Sequence, residues 1–161
     1  MIVLGVDPGS ASTGFGLVRV SGGRLARIES GAIRPPRHAP FPVKLQAVYR
    51  GVRDLLERRS VDEAAVEDLF QGVNPRTAAR IGLVRGVVLL AAADASIPVA
   101  EYPPARVKSA VTGNGGATKE QVRFMVRRIL GLSESIESTD ESDALAVAIC
   151  HCHRAGSGAA R

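Results

Sequence analysis

Two short apolar runs in this chain each end on a carboxylate. Ile2 to Val6 is continuously apolar and stops at Asp7, with the breaker Pro8-Gly9 behind it, and Ala64-Ala65-Val66 stops at Glu67. Runs this short and uniformly apolar suit strands covered on both faces, which requires helices on either side of a sheet. If the two strands lie parallel and adjacent, their terminal acids converge at one sheet edge, where open α/β sheets place ligands.

The rest of the chain supplies the partners such a sheet needs. Thr13 to Val20 and Arg24 to Ile33 are further strand-like runs, joined by a hairpin turn at Ser21-Gly22-Gly23. After a Pro-rich loop from Pro35 to Pro42, apolar residues from Leu45 to Leu56 recur at helical spacing between Lys44 and Arg59. Asn74-Pro75 offers an N-cap and a first-turn proline for a helix through about Ala93, and Ile97 to Ala100 reads as a fifth strand. Thr118-x-x-Gln121 has the form of a capping box opening a helix to about Leu130, and Ser138-x-x-Glu141 repeats that signal for a last helix. This order predicts an α/β fold, a mixed five-stranded sheet flanked by helices. A chain of 161 residues suits one domain, expected over residues 1–155, with a short flexible Ala/Gly tail at 156–161.

Charge narrows the partner. Twenty-one Lys and Arg against 16 Asp and Glu give a net +5, which favours a polyanion such as nucleic acid. The longest apolar run, Val87 to Ala93, is far shorter than the ~20 residues that span a bilayer, and the N-terminus has no basic leader, so no membrane role and a cytoplasmic location are expected. Cys150-His151-Cys152-His153 invites a zinc reading. Helix neighbours two apart diverge by about 200°, however, so the run reads instead as a helix end with semi-buried thiols.

Asp140 and Asp143, three apart in the first turn of the last helix, project from roughly one face. Four acids would then meet. Carboxylates at such range repel and raise one another's pKa, so the cluster is stable only with cations in it. Two Mg²⁺ ions would balance four ionised carboxylates, with Mn²⁺ as a substitute, and would clamp the attacking and leaving oxygens of a phosphodiester. Taken singly, each acid has a plainer use: Asp7 closing a turn, Glu67 capping a loop, and Asp140 and Asp143 favouring a helix N-terminus.

Asp7-Pro8-Gly9-Ser10 with Thr13-Gly14-Phe15-Gly16, Val66-Glu67-Asp68-Leu69-Phe70, Gly113-x-Gly115-x-Ala117-x-Lys119 and Asp140-x-x-Asp143-Ala144-Leu145-Ala146 run in order along almost the whole chain. Together they resemble the RuvC family of Holliday-junction resolvases. The resemblance implies a ribonuclease-H-like fold, a homodimer and Mg²⁺-dependent cleavage of four-way DNA junctions by paired symmetric nicks in recombination and repair. It places the metal ligands on Asp7, Glu67, Asp140 and Asp143, although some members carry His at the position of Asp140. It sets Lys108 and Lys119 beside the scissile phosphate, and it implies a branch-migration complex as a partner.

Lys119, Arg123 and Arg127, spaced i, i+4, i+8, write a basic stripe beside a buried one, and with Arg76 and Arg80 they are the candidate DNA contacts; a solvated helix face is the plainer reading. Phe70 is placed to stack on an unpaired base, or to tuck under its own helix. Gly82 and Gly86, one turn apart, make a smooth helix face for either a subunit contact or close packing on the parent sheet. The competing function is a ribonuclease-H-like RNA-processing nuclease, which would share the acidic strand ends. Asp7-x-Gly9 with Thr13-Gly14 also resembles an actin-like phosphate loop, but that fold needs two lobes and this chain is too short.

Overall fold

Strand β1 (Ile2–Asp7) sits at the centre of a five-stranded sheet and takes a neighbour of each kind. It pairs antiparallel with β2 (Thr13–Ser21) and parallel with β4 (Glu63–Glu67). Outside these lie β3 (Arg24–Ile33), antiparallel to β2, and β5 (Val99–Tyr102), parallel to β4, for an order β3-β2-β1-β4-β5. The structure is a computed structural model that describes residues 1–68, 74–136 and 138–158, with the side chains of 156–158 excepted. The β2–β3 hairpin turns on Gly22 and Gly23, both at positive φ (55° and 76°), the conformation a two-residue turn between twisted strands requires.

Side chains alternate along each strand and so divide the core. Leu4, Val6, Leu17, Ala64 and Val66 face α1 (Phe41–Arg58) and α2 (Pro75–Asp94). Val3, Val18 and Ala65 face α3 (Pro104–Thr112), α4 (Lys119–Leu130) and α5 (Thr139–Gly158). By the same alternation Asp7 and Glu67, two residues beyond Gly5 and Ala65, belong to the α5 side.

The expected mixed sheet is present, with local differences. Helix α1 begins at Phe41, taking Pro42 into its first turn, where a missing N–H costs nothing. Strand β5 lies two residues later than the apolar run suggested, because pairing starts where the Pro98 carbonyl accepts from Ala64 N–H and ends at buried Tyr102 opposite Glu67. Helix α3 was not anticipated; its signal was Pro104 at the start with Val107 and Val111 one turn apart. The Thr118 capping box forms in full. At α5 only half of the expected box forms: Ser138 Oγ accepts from Glu141 N–H at 3.2 Å, while the Glu141 carboxylate turns to Ser30 Oγ at 2.6 Å and to Arg27. Helix α5 continues to Gly158, so the boundary expected after residue 155 falls inside it.

Candidate active site

Strand register brings the acids together. Parallel pairing sets Val6 beside Val66, so Asp7 and Glu67 leave adjacent strands at the same end, and their carboxyls hydrogen-bond to each other. Across the other edge of β1, Asp7 stands opposite Gly14. A Cβ on Gly14 would lie 2.0 Å from the Asp140 carbonyl oxygen, and one on Gly5 would lie 2.2 Å from that of Ala144. The bare backbone at these two positions lets the first turns of α5 rest directly on β1 and β2. Asp140 and Asp143 are thereby delivered close enough to Asp7 for their charges to act on it.

The resulting field is strong. Burial first, then the neighbouring Asp143 and Asp140 charges, push the Asp7 carboxyl up to about 6. Burial, then Asp7 and Asp143, push Glu67 up to about 8. Near neutrality the pair therefore retains a proton. Lys119, fixed as the first residue of α4 by the capping box, reaches back so that its Nζ donates to Asp143 Oδ2 at 2.8 Å. That hydrogen bond holds the ammonium above its usual range. Glu67, Lys108, Lys119 and Asp143 line one groove of about 420 Å³, floored by Val107, Val122 and Ala146. Lys108 makes no ion pair among the described residues, so the salt-bridged alternative does not hold there.

All four acids and both lysines thus gather at the C-terminal ends of β1 and β4. As the side chains lie, Asp7 is paired with Glu67 and Asp143 with Lys119, and among the described residues no three Asp, Glu, His or Cys side chains form a ready metal cage. The donor set still fits a hard divalent cation. Its ligands are all oxygens, and the charge that raises Asp7 and Glu67 is the charge a cation would offset.

The other candidates are dispersed. Arg76 and Arg80 are exposed on the first turns of α2, with the Arg80 guanidinium 5.5 Å from the Phe41 ring centroid. Arg123 and Arg127 do not continue the exposed face of Lys119: both are half-buried, and Arg127 donates to the Ser133 carbonyl. Phe70 lies outside the described residues. Gly86 is exposed with open space above it, between Leu83 and Leu90, each more than half exposed, so this face of α2 is not packed on its own sheet.

The Cys150–His153 run gathers no ligands. Cys150, His151 and Cys152 are buried and His153 is exposed. His151 instead bridges Tyr102 Oη (2.8 Å) and Glu63 Oε2 (2.6 Å), a buried link between β4, β5 and α5 that no sequence pattern indicated.

The family described as "Crossover junction endodeoxyribonuclease RuvC" matches residues 3–151. Relatives of that name include one from Desulforamulus reducens, 48% identical over 151 residues covering 94% of this chain and 93% of the relative. Another, from Chloroflexus aurantiacus, is 49% identical over 155 residues, covering 96% and 94%. Among solved structures, Thermus thermophilus RuvC superposes with a TM-score of 0.90 at 35% identity, covering 98% of this chain and 97% of that one. The same protein in complex with a Holliday junction substrate superposes with a TM-score of 0.92 at 35% identity, covering 98% and 96%.

Proposed function

The chain belongs to the RuvC family of crossover junction endodeoxyribonucleases, with that family's ribonuclease-H-like fold, and from this premise we propose that it resolves four-way DNA junctions by paired nicks made at the Asp7–Glu67–Asp140–Asp143 cluster. The observation that supports the assignment of the site is the convergence of these acids at one end of the sheet, where Glu67 and Asp143 line one groove together with Lys108 and Lys119. The RNA-processing alternative is not favoured by relatives named for crossover junctions.

Asp7, Glu67, Asp140 and Asp143 would hold the divalent cations, two per site. What Mg²⁺, or Mn²⁺ in its place, supplies when bound is positive charge at the attacking and leaving oxygens of an in-line displacement. The chain's own part is to prepare that site. To hold a cation, Asp7 and Glu67 would release their shared proton to water. Lys119 releases Asp143 and turns its Nζ, on an exposed side chain, to the scissile phosphate. Lys108, on the same groove wall, is the second cation for that phosphate. Arg76 and Arg80 extend the contact along the backbone, and Arg123 and Arg127 keep a place in it only where their half-buried guanidiniums reach the rim.

Two symmetric nicks need two sites related by a two-fold axis, which one chain does not provide. The exposed Leu83–Gly86–Leu90 face of α2 is the proposed isologous contact of a homodimer. A branch-migration complex is the proposed upstream partner and the cytoplasm the proposed location; among the described residues no helix is long and apolar enough to cross a membrane.

The test is incubation of a labelled four-way junction, a linear duplex and a structured RNA with protein and Mg²⁺. Paired cuts confined to the junction are expected. Asp7→Asn and Asp143→Asn should bind the junction and leave it uncut, and either one cutting at the wild-type rate would remove these acids from the site.

A further inference from the structure

Beside the acidic groove the chain carries a stretch of the opposite character. No Asp or Glu occurs between residues 30 and 53, or between 74 and 93, while Arg34, Arg37, Lys44, Arg76 and Arg80 fall within those segments. Among the described residues none of these five makes an ion pair, although Arg53 and Arg85 in the same segments do. All but Lys44 are exposed.

The fold places them together at the end of the sheet that bears Asp7. Asp7 is level with Gly14, and Gly14 with Ala32, so β3 ends two strand spacings, about 10 Å, from the Asp7 backbone. Arg34 is two residues further on, as the chain leaves the sheet. Lys44 Nζ donates to the Arg37 carbonyl at 2.8 Å, tying the first turn of α1 to that connection. Arg80 lies over the ring of Phe41, the first residue of α1, which joins the start of α2 to the same shoulder. Helix α1 has no side-chain cap and no acid in its first turn, so no carboxylate offsets the positive end of its dipole there.

The geometry points to a second, sequence-independent phosphate grip: Arg34, Arg37 and Lys44, continuing the line of Arg76 and Arg80, hold the backbone of the duplex arm flanking the cut. About 10 Å is a distance a duplex covers in roughly three base pairs, so an arm whose scissile phosphate sits in the acidic groove has its next phosphates over this shoulder. Clustered cations without carboxylate partners suit an extended polyanion. The inference rests on the proposed nuclease site only for which arm is held.

The experiment compares two triple variants that remove the same charge from opposite ends of the sheet. One is Arg34→Gln/Arg37→Gln/Lys44→Gln. The other is Arg19→Gln/Arg24→Gln/Arg128→Gln, whose residues are exposed around the β2–β3 turn and the end of α4. Affinity for a labelled junction and for a linear duplex is measured in EDTA between 50 and 200 mM salt. Every phosphate that is no longer neutralised lowers the log–log salt slope by about 0.9, so the slope of the shoulder triple should be shallower by about 2.7. Over that fourfold salt range its affinity should then fall about 40-fold less than that of the wild type. The opposite-end triple should keep the wild-type slope, and Arg34→Lys/Arg37→Lys should stay close to it. An unchanged slope in the shoulder triple, or an equal drop in both, overturns the grip. Junction cleavage by the wild type in Mg²⁺ tests the nuclease site separately, and the duplex slopes decide the grip whatever that outcome.

Discussion

Replacing Glu67 by Gln should make the metal-free protein more stable, by an amount that grows with pH. A carboxyl whose folded pKa lies above its unfolded value binds more protons folded than unfolded between the two values. Stability is then lost as pH rises through that window, from 4.5 to about 8 for Glu67 and from 3.8 to about 6 for Asp7. Every tenfold change in proton affinity corresponds to about 1.4 kcal/mol. The two carboxyls act as one pair and Lys119 offsets part of the repulsion, so the cost carried by Glu67 at pH 8 is on the order of 3 kcal/mol. An amide at position 67 keeps a hydrogen bond to Asp7 and removes the Glu67 cost, leaving Asp7 with the part set by its burial and by Asp143 and Asp140. For a chain of this size the gain corresponds to roughly 6 to 12 °C in Tm at pH 8. Near pH 4 the folded carboxyls are already protonated, and the two proteins should differ by under about 1 kcal/mol. Thermal and urea denaturation of EDTA-treated protein, followed by far-UV circular dichroism from pH 4 to 8.5, reads both numbers. Added Mg²⁺ should narrow the gap by stabilising the wild type alone. A variant no more stable than wild type at pH 8, or a gain equal at pH 4 and pH 8, would refute the crowding of these acids.

Gly14→Ala introduces a methyl 2.0 Å from the Asp140 carbonyl, so α5 must lift by about an ångström, and junction cleavage should fall by about 100-fold or more while duplex binding persists; cleavage within a few-fold of wild type would show that the helix tip has room to spare. Tyr102→Phe leaves a buried ring nitrogen of His151 without its partner and should cost about 1 to 3 kcal/mol in urea denaturation, and no loss would mean that the Glu63 link alone satisfies the ring. Leu83→Asp with Leu90→Asp places like charges across any two-fold contact made by α2, so sedimentation should report monomers and a cruciform plasmid should yield nicked circles rather than linear product. An unchanged mass would remove this face from the dimer.

How far the fold and the site can be read from the sequence follows from the range of each interaction. Strands β1 and β4 and the acids at their ends are written in runs of consecutive residues, as is the Thr118 capping box that starts α4 at Lys119. The parallel neighbours β1 and β4 are separated by more than fifty residues, and their pairing was a condition placed on the sequence rather than read from it. The periodicity of Arg123 and Arg127 with Lys119 was genuine, yet α4 packs against α5 and β3, and the stripe turns inward as it descends. The Asp143–Lys119 pair and the Glu141–Ser30 hydrogen bond join residues 24 and 111 apart in the chain, and no local pattern encodes either. Gly5 and Gly14 were the one long-range signal within reach, since glycine inside an otherwise apolar strand marks a close approach of backbone.

From Ala144 to Cys152 every residue of α5 is less than 4% exposed, and the acids of the site ride on the N-terminal tip of that rod. A segment so enclosed has no private route to opening. Its amides should exchange with solvent only when the whole molecule unfolds, as slowly as the slowest amides of β1, against which it lies. The acids proposed to hold the metal are thus attached directly to the last part of the molecule to melt. By reversibility the same α5–β1 contact is among the first to become stable on refolding, so a chain compact enough to hold the rod against the sheet already brings Asp140 and Asp143 toward Asp7.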